Sequence, residues 1–155
     1  MSKAHILLIG VGNEFRGDDA AGLLVAKALA AAAIPGVKVV EETGDATRLL
    51  NTWSGFDRVF LVDAVRSASK PGMIHRFEAH AAPIPSGWFA VSSHSLGVAD
   101  AIELARQTHQ LPMELVVYGI SGAEFGMGKP VSAAVTAGAK KALRAVRAEI
   151  RRHLS

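Results

Sequence analysis

The sequence predicts an α/β fold, a three-layer sandwich in which helices cover both faces of a mostly parallel, five-stranded twisted sheet. Three observations predict it. Apolar runs of strand length alternate with helical segments along the chain, the order that gives parallel sheets with crossover helices. The strand-length runs are continuously apolar, as in strands covered on both faces. The composition also supplies a core: half of the 155 residues are hydrophobic and a fifth are charged, and the length suits one domain over residues 1–155.

The elements follow in order. Residues 5–10 are an apolar run ending in Gly10, the first strand. Residues 20–33 are rich in Ala and Leu and read as a helix closed by Pro35-Gly36. Residues 37–42 make a second strand, and residues 45–53 a short helix with Asp45 as its N-cap. Residues 58–63 form a third buried strand that ends abruptly at a carboxylate, Asp63. Pro71-Gly72 is a turn signal, and residues 73–78 alternate in the manner of an edge strand. Residues 80–93 are a loop rich in Ala, Pro and Ser. Residues 95–108 read as a helix with Leu96, Ala99, Ile102 and Ala105 on one face. Residues 115–120 are the last strand, residues 122–130 a glycine-rich loop, and residues 131–153 a long final helix.

Charge and cysteine content exclude several chemistries. Without cysteine there are no disulfides, thiolate zinc sites, iron–sulfur clusters or cysteine nucleophile, so a metal must be held by His, Asp, Glu or Asn. The net charge of +3 is a local effect. Six of the seventeen basic residues (Lys140, Lys141, Arg144, Arg147, Arg151, Arg152) lie in the last sixteen positions, where Glu149 is the only acid. They read as a solvated helix face, with a docking surface for an acidic partner as the alternative. No aromatics are interleaved with them, which argues against nucleic-acid binding. The apolar run over residues 6–11 is too short for a signal-peptide core, and the Ala-rich stretch over residues 26–33 contains Lys27 and is too short to span a bilayer. The expectation is a soluble, cytoplasmic protein.

In an open α/β sheet, ligands bind outside the carboxyl ends of the parallel strands. Glu41 and Glu42 end the second strand with Asp45 just beyond, Asp63 ends the third, Asp18 and Asp19 close the loop after the first, and His94 precedes a helix. Gly10-x-Gly12 invites a dinucleotide reading, but the third glycine of that motif falls on Phe15, and Asp18 and Asp19 would repel a pyrophosphate. One aspartate suffices to cap a helix, so the second is the better ligand candidate. Each of these residues alone has an ordinary structural explanation. Together, two carboxylates and an imidazole at one edge are a donor set for zinc, nickel or another divalent ion. His5, His75, His80, His109 and His153 are weaker candidates. Leu111, Pro112 and the loop around Trp88 and Phe89 suit a peptide groove or, equally, core packing.

At these positions the sequence resembles the hydrogenase maturation proteases, the endopeptidases that remove a C-terminal extension from the large subunit of nickel–iron hydrogenases. Ile9-Gly10-Val11-Gly12-Asn13 followed by Gly17-Asp18-Asp19-Ala20-Ala21-Gly22 resembles the first-strand signature. Val62-Asp63-Ala64 resembles the third-strand end, Ser93-His94-Ser95-Leu96-Gly97-Val98-Ala99-Asp100 the histidine motif, and Tyr118-Gly119-Ile120 with the loop to Pro130 also matches. The resemblance spans nearly the whole chain. It implies Asp19, Asp63 and His94 as metal-binding residues; position 19 is Asp or Glu in such enzymes, and Asp is one methylene shorter. Glu42 is the favoured counterpart of an acidic residue after the second strand, with Glu41 the alternative.

The resemblance further implies that nickel, already inserted in the precursor, is the recognition element, with zinc or cadmium able to substitute at the site. Asp19, Asp63 and His94 complete its coordination, the metal or a nearby water assists hydrolysis, and Glu42 or Asp18 accepts a proton or orients a ligand. The implied partner is the large-subunit precursor, acted on by a monomer without nucleic acid or membrane. Ser93 and Ser95 flank His94 but are badly placed to face it as nucleophile to base. A non-proteolytic nickel- or zinc-binding accessory protein using the same residues is the competing reading, and a nucleotide-binding module a further one.

Overall fold

The computed structural model describes residues 5–67, 69–85, 87, 88 and 97–154. Five strands, β1 (Ile6–Val11), β2 (Val37–Glu42), β3 (Arg58–Val65), β4 (Ile74–Glu78) and β5 (Glu114–Ser121), form one sheet in the order β2-β1-β3-β5-β4. The first four in that order are parallel, and β4 runs antiparallel to β5 at the edge. The helices are α1 (Ala21–Ala32), α2 (Ala46–Trp53), α3 (Val98–Gln107) and α4 (Ala133–Leu154), with a 3-10 turn at Gly17–Ala20 leading into α1.

Alternate residues of the central strands feed two cores. Ile6, Leu8, Phe60, Val62, Val116 and Ile120 pack with Val25 and Leu29 of α1 and Val135, Val146 and Ile150 of α4. Leu7, Ile9, Val59, Leu61, Leu115 and Val117 pack with Leu49 and Trp53 of α2 and Ala101 and Ile102 of α3. Both sheet faces are therefore covered, which is why these strands read as unbroken apolar runs. The three-layer expectation holds.

α1 lies close to the sheet because residue 22 is glycine. A Cβ there would sit 2.2 Å from the Val62 carbonyl oxygen and 2.5 Å from that of Val11. At the other side, α4 is tied to the edge of the sheet by Glu149. Its carboxylate accepts hydrogen bonds from Arg76 Nη2 (2.7 Å) and Nε (3.0 Å) on β4 and from the Tyr118 hydroxyl on β5.

Several boundaries differ from the sequence-based expectation. β3 does not stop at Asp63 but continues through Ala64 and Val65, which pair with Ile120 and Ser121. Asp45 occupies the N-cap of α2, yet its side chain makes no capping hydrogen bond. On α3, Ile102 and Ala105 are buried as expected, but Ala99 is exposed and Val98 and Ala101 complete the buried face; Leu96 lies outside the described residues. α4 begins at Ala133 rather than at residue 131. No helix among the described residues is long and apolar enough to cross a membrane.

Candidate active site

The strand order turns back on itself between β1 and β3. β2 lies on one side of β1, and the next strand in sequence, β3, lies on the other. The connections leaving the carboxyl ends of β1 and β3 therefore diverge, and a crevice opens between them. It is a cleft of about 620 Å³, lined among others by Gly12, Asn13, Phe15, Arg16, Asp19, Glu41, Glu42, Arg48, Asp63 and Val98.

Asp19 and Asp63 both reach this cleft and both are nearly buried, at 9% and 7% exposure. The Asp19 carboxylate accepts a hydrogen bond from the Asn13 backbone N–H at 2.9 Å. Gly12 is needed nearby, because a Cβ on it would sit 2.0 Å from the Asp19 carbonyl oxygen. Burial pushes the Asp19 carboxyl above the ordinary carboxylate range, against the opposing pull of the Asn13 N–H and the Arg16 charge. Asp63 is pushed well above that range, first by burial and then by the negative charge of Asp19; among the described residues the Ala64 backbone N–H, at 2.8 Å, counteracts this. Two carboxylates are thus held together in a poorly solvated place where both cannot comfortably carry charge. That is the electrostatic character of a site that receives a cation or holds a proton.

Asp18, the neighbour of Asp19, does something different. It is fully buried, and its carboxylate accepts backbone N–H bonds from Ala123 (2.9 Å), Glu124 (3.0 Å) and Ser132 (2.8 Å). Burial opposes its charge, but these donors outweigh it and hold the carboxyl below the ordinary range. Asp18 is the brace of the 122–132 loop. Its oxygens are engaged by that loop, and Asp18 is not among the described residues that line the cleft.

The two glutamates that end β2 also separate. Glu42 is buried; its oxygens accept bonds from Arg48 Nε (3.0 Å) and Thr52 Oγ1 (2.8 Å), both on α2. Glu41 is exposed and paired with Lys27 at 2.9 Å. His94 lies outside the described residues, although Val98, four positions later, lines the cleft. Among the described residues, no group of three metal-ligating side chains is assembled.

Two of the other histidines, His75 and His80, are engaged elsewhere. His75 Nε2 is 3.0 Å from Ser121 Oγ, which in turn is 2.7 Å from Ser67 Oγ, and the Trp88 ring meets the imidazole edge-on with 4.5 Å between centroids. His80 Nδ1 accepts the Leu115 backbone N–H at 3.0 Å. Leu111 and Pro112 line a second cleft at the opposite, amino edge of the sheet, so they do not form a groove beside the carboxylates. Trp88 packs on His75 and Phe77 instead, and Phe89 lies outside the described residues. Sequence reasoning missed Arg48 and Thr52 as partners of Glu42. Their spacing on α2, one turn apart at i and i+4, was the available signal.

Residues 23–149 match the profile of the hydrogenase maturation protease family. The chain belongs to the hydrogenase maturation protease family. The hydrogenase 2 maturation protease of Escherichia coli is 32% identical to this protease over 121 residues, covering 75% of this chain and 72% of its own. Among solved structures, the hydrogenase maturating endopeptidase HybD from E. coli superposes with a TM-score of 0.76 at 27% identity, covering 96% of this chain and 93% of its own. The NiFe hydrogenase maturation protease HybD from Thermococcus kodakarensis gives 0.69 at 29% identity, covering 92% and 97%. The protease is accordingly a peptide-bond hydrolase with the α/β fold of those structures.

Proposed function

We propose that this protease removes the C-terminal extension of a nickel–iron hydrogenase large-subunit precursor after nickel insertion, engaging the substrate-held nickel through Asp19, Asp63 and His94. The observation that carries the reading is the pair Asp19 and Asp63, nearly buried at one cleft and both disfavoured as anions by burial. A divalent ion arriving with the substrate relieves that disfavour, and oxygen and imidazole donors suit nickel as well as zinc or cadmium.

Nickel placed beside the scissile bond supplies Lewis-acid polarisation of a carbonyl or a bound water. The chain's own residues supply position. The Asn13 N–H and the close backbone approach at Gly12 aim Asp19, and β3 carries Asp63 to the crevice on a rigid strand. Glu42, gripped by Arg48 and Thr52, fixes α2 along the rim and acts as a positioning residue.

The test is mass-spectrometric cleavage of nickel-loaded and nickel-free precursor by wild type and by Asp63→Asn and His94→Ala. Wild type is expected to release one C-terminal peptide from the nickel-loaded precursor only, and both variants to lose that activity. Cleavage of nickel-free precursor at the same rate refutes nickel recognition. Tight precursor binding without any shortening of a cognate precursor favours the accessory-protein reading.

A further inference from the structure

Six large apolar side chains are exposed among the described residues: Phe15, Met73, Leu104, Met113, Met127 and Leu154. Scattered singly, such residues need no explanation. Two of them do not fit that description. Phe15 is 63% exposed and lines the same cleft as Asp19 and Asp63. Met127 is 68% exposed and sits on the 122–132 loop, whose Gly128 N–H donates to the Phe15 carbonyl oxygen at 2.8 Å. Met127 is therefore presented one residue from the junction of the two loops.

The loops that carry this pair are fixed. Asp18 braces the 122–132 loop through three backbone donors, and the Asp18 N–H bonds back to the Glu124 carbonyl at 2.7 Å. Phe125 is buried beneath the loop with the Arg66 guanidinium 4.8 Å from its ring centroid, so the aromatic residue of this loop is spent on anchoring while Met127 faces outward. Phe15 has its own support, its N–H donating to Asn13 Oδ1 at 2.9 Å. Charged residues, Glu14 and Arg16 on one loop and Glu124 and Lys129 on the other, flank the apolar pair in sequence. A preorganised apolar centre with a polar rim has the anatomy of a protein-recognition patch.

We infer that Phe15 and Met127 form the docking patch for apolar side chains of the precursor polypeptide beside its scissile bond, and so set which sequence is admitted to the cleft. The inference rests on the proposed proteolytic function and adds to it the class of substrate contact. The patch is continuous with the cleft through Phe15, which is what selects the polypeptide being cut as its occupant. Met113, at the opposite edge of the sheet, has no such continuity.

The experiment is steady-state cleavage of nickel-loaded precursor by wild type, Phe15→Ala, Met127→Ala, the double variant, Phe15→Leu and Met113→Ala, with the melting temperature of each. The double variant is expected to raise KM about tenfold, as loss of an apolar anchor does, with kcat and melting temperature near wild type. Phe15→Leu is expected to recover most of the KM, and Met113→Ala to change nothing. An unchanged KM in the double variant, a loss in kcat alone, or an equal effect from Met113→Ala overturns the inference while leaving the proteolytic reading intact. Failure of wild type both to bind and to cut the precursor overturns the two together.

Discussion

Asp18→Ala isolates the brace of the 122–132 loop. The wild-type carboxylate satisfies three backbone N–H groups, those of Ala123, Glu124 and Ser132, at 2.8 to 3.0 Å from a fully buried position. A hydrogen bond to a charged acceptor contributes about 1.5–3 kcal/mol. Ala123 and Glu124 lie on an exposed loop, where water restores part of the loss. The net expectation is a cost of about 3–5 kcal/mol and a fall of about 10 °C in melting temperature. Asp18→Asn keeps one acceptor oxygen but turns an NH2 group toward a backbone donor, so it should lie between wild type and Ala. Urea denaturation at neutral pH measures both, and amide hydrogen exchange over residues 122–132 should show protection lost there first. The pH dependence has a definite sign. The folded-state carboxyl titrates below its ordinary value of 3.8, so its contribution is fully present above that pH and is lost as pH falls through the lower, folded value. A difference below about 0.5 kcal/mol between Asp18→Ala and wild type, with loop protection unchanged, refutes the bracing argument.

Three further outcomes follow from the packing. Gly22→Ala drives a methyl group into two backbone carbonyls and should cost about 3 kcal/mol or more by chemical denaturation, with α1 displaced from β1. Glu149→Ala takes the acceptor from the Tyr118 hydroxyl and leaves the Arg76 guanidinium with its Glu78 ion pair; because Arg76 keeps that partner and is 40% exposed, the loss should be about 2–3 kcal/mol rather than the full value for a buried pair, and Glu149→Gln should recover part of it. Burial alone holds the His75 imidazole below its ordinary 6.5, where it meets the uncharged Ser121 and Trp88. The folded state therefore binds fewer protons than the unfolded chain, and stability relative to His75→Gln should decline as pH falls below 6.5, a trend that melting curves across a pH series will show or refute.

The layers of this fold were legible because each central strand is buried on both faces and leaves an unbroken apolar run. The end of β3 was misread for a physical reason. A carboxylate closing an apolar run looks like a terminus, whereas pairing of Asp63 with Gly119 and of Val65 with Ser121 carries the strand two residues further. Asp63 and Asp19 could be selected from sequence because the ends of parallel strands gather at one edge. The division of labour between Asp18 and Asp19 could not, since the partners of Asp18 lie more than a hundred residues away. Glu149 looked like one acid in a basic helix, and its role depends on Arg76, 73 positions earlier. Phe15 and Met127 carried no periodic signal at all. Their meaning is positional and appears only when two loops are seen to meet.

The sheet order has a consequence for how the chain is made. Among the described residues β4 pairs with β5 alone, yet it leaves the ribosome before β5, with residues 79–113 between them. Until β5 slots between β3 and β4, the growing polypeptide carries an open strand edge on β3 and an orphan strand beyond it. The clasp of Arg76 by Glu149 must wait longer still, for the second half of α4. Vectorial synthesis thus leaves the sheet incomplete until β5 has emerged, with closure dependent on contacts of long sequence separation. Slow translation through residues 79–113 would prolong exposure of that edge, and it is there that a nascent-chain chaperone would have most to protect.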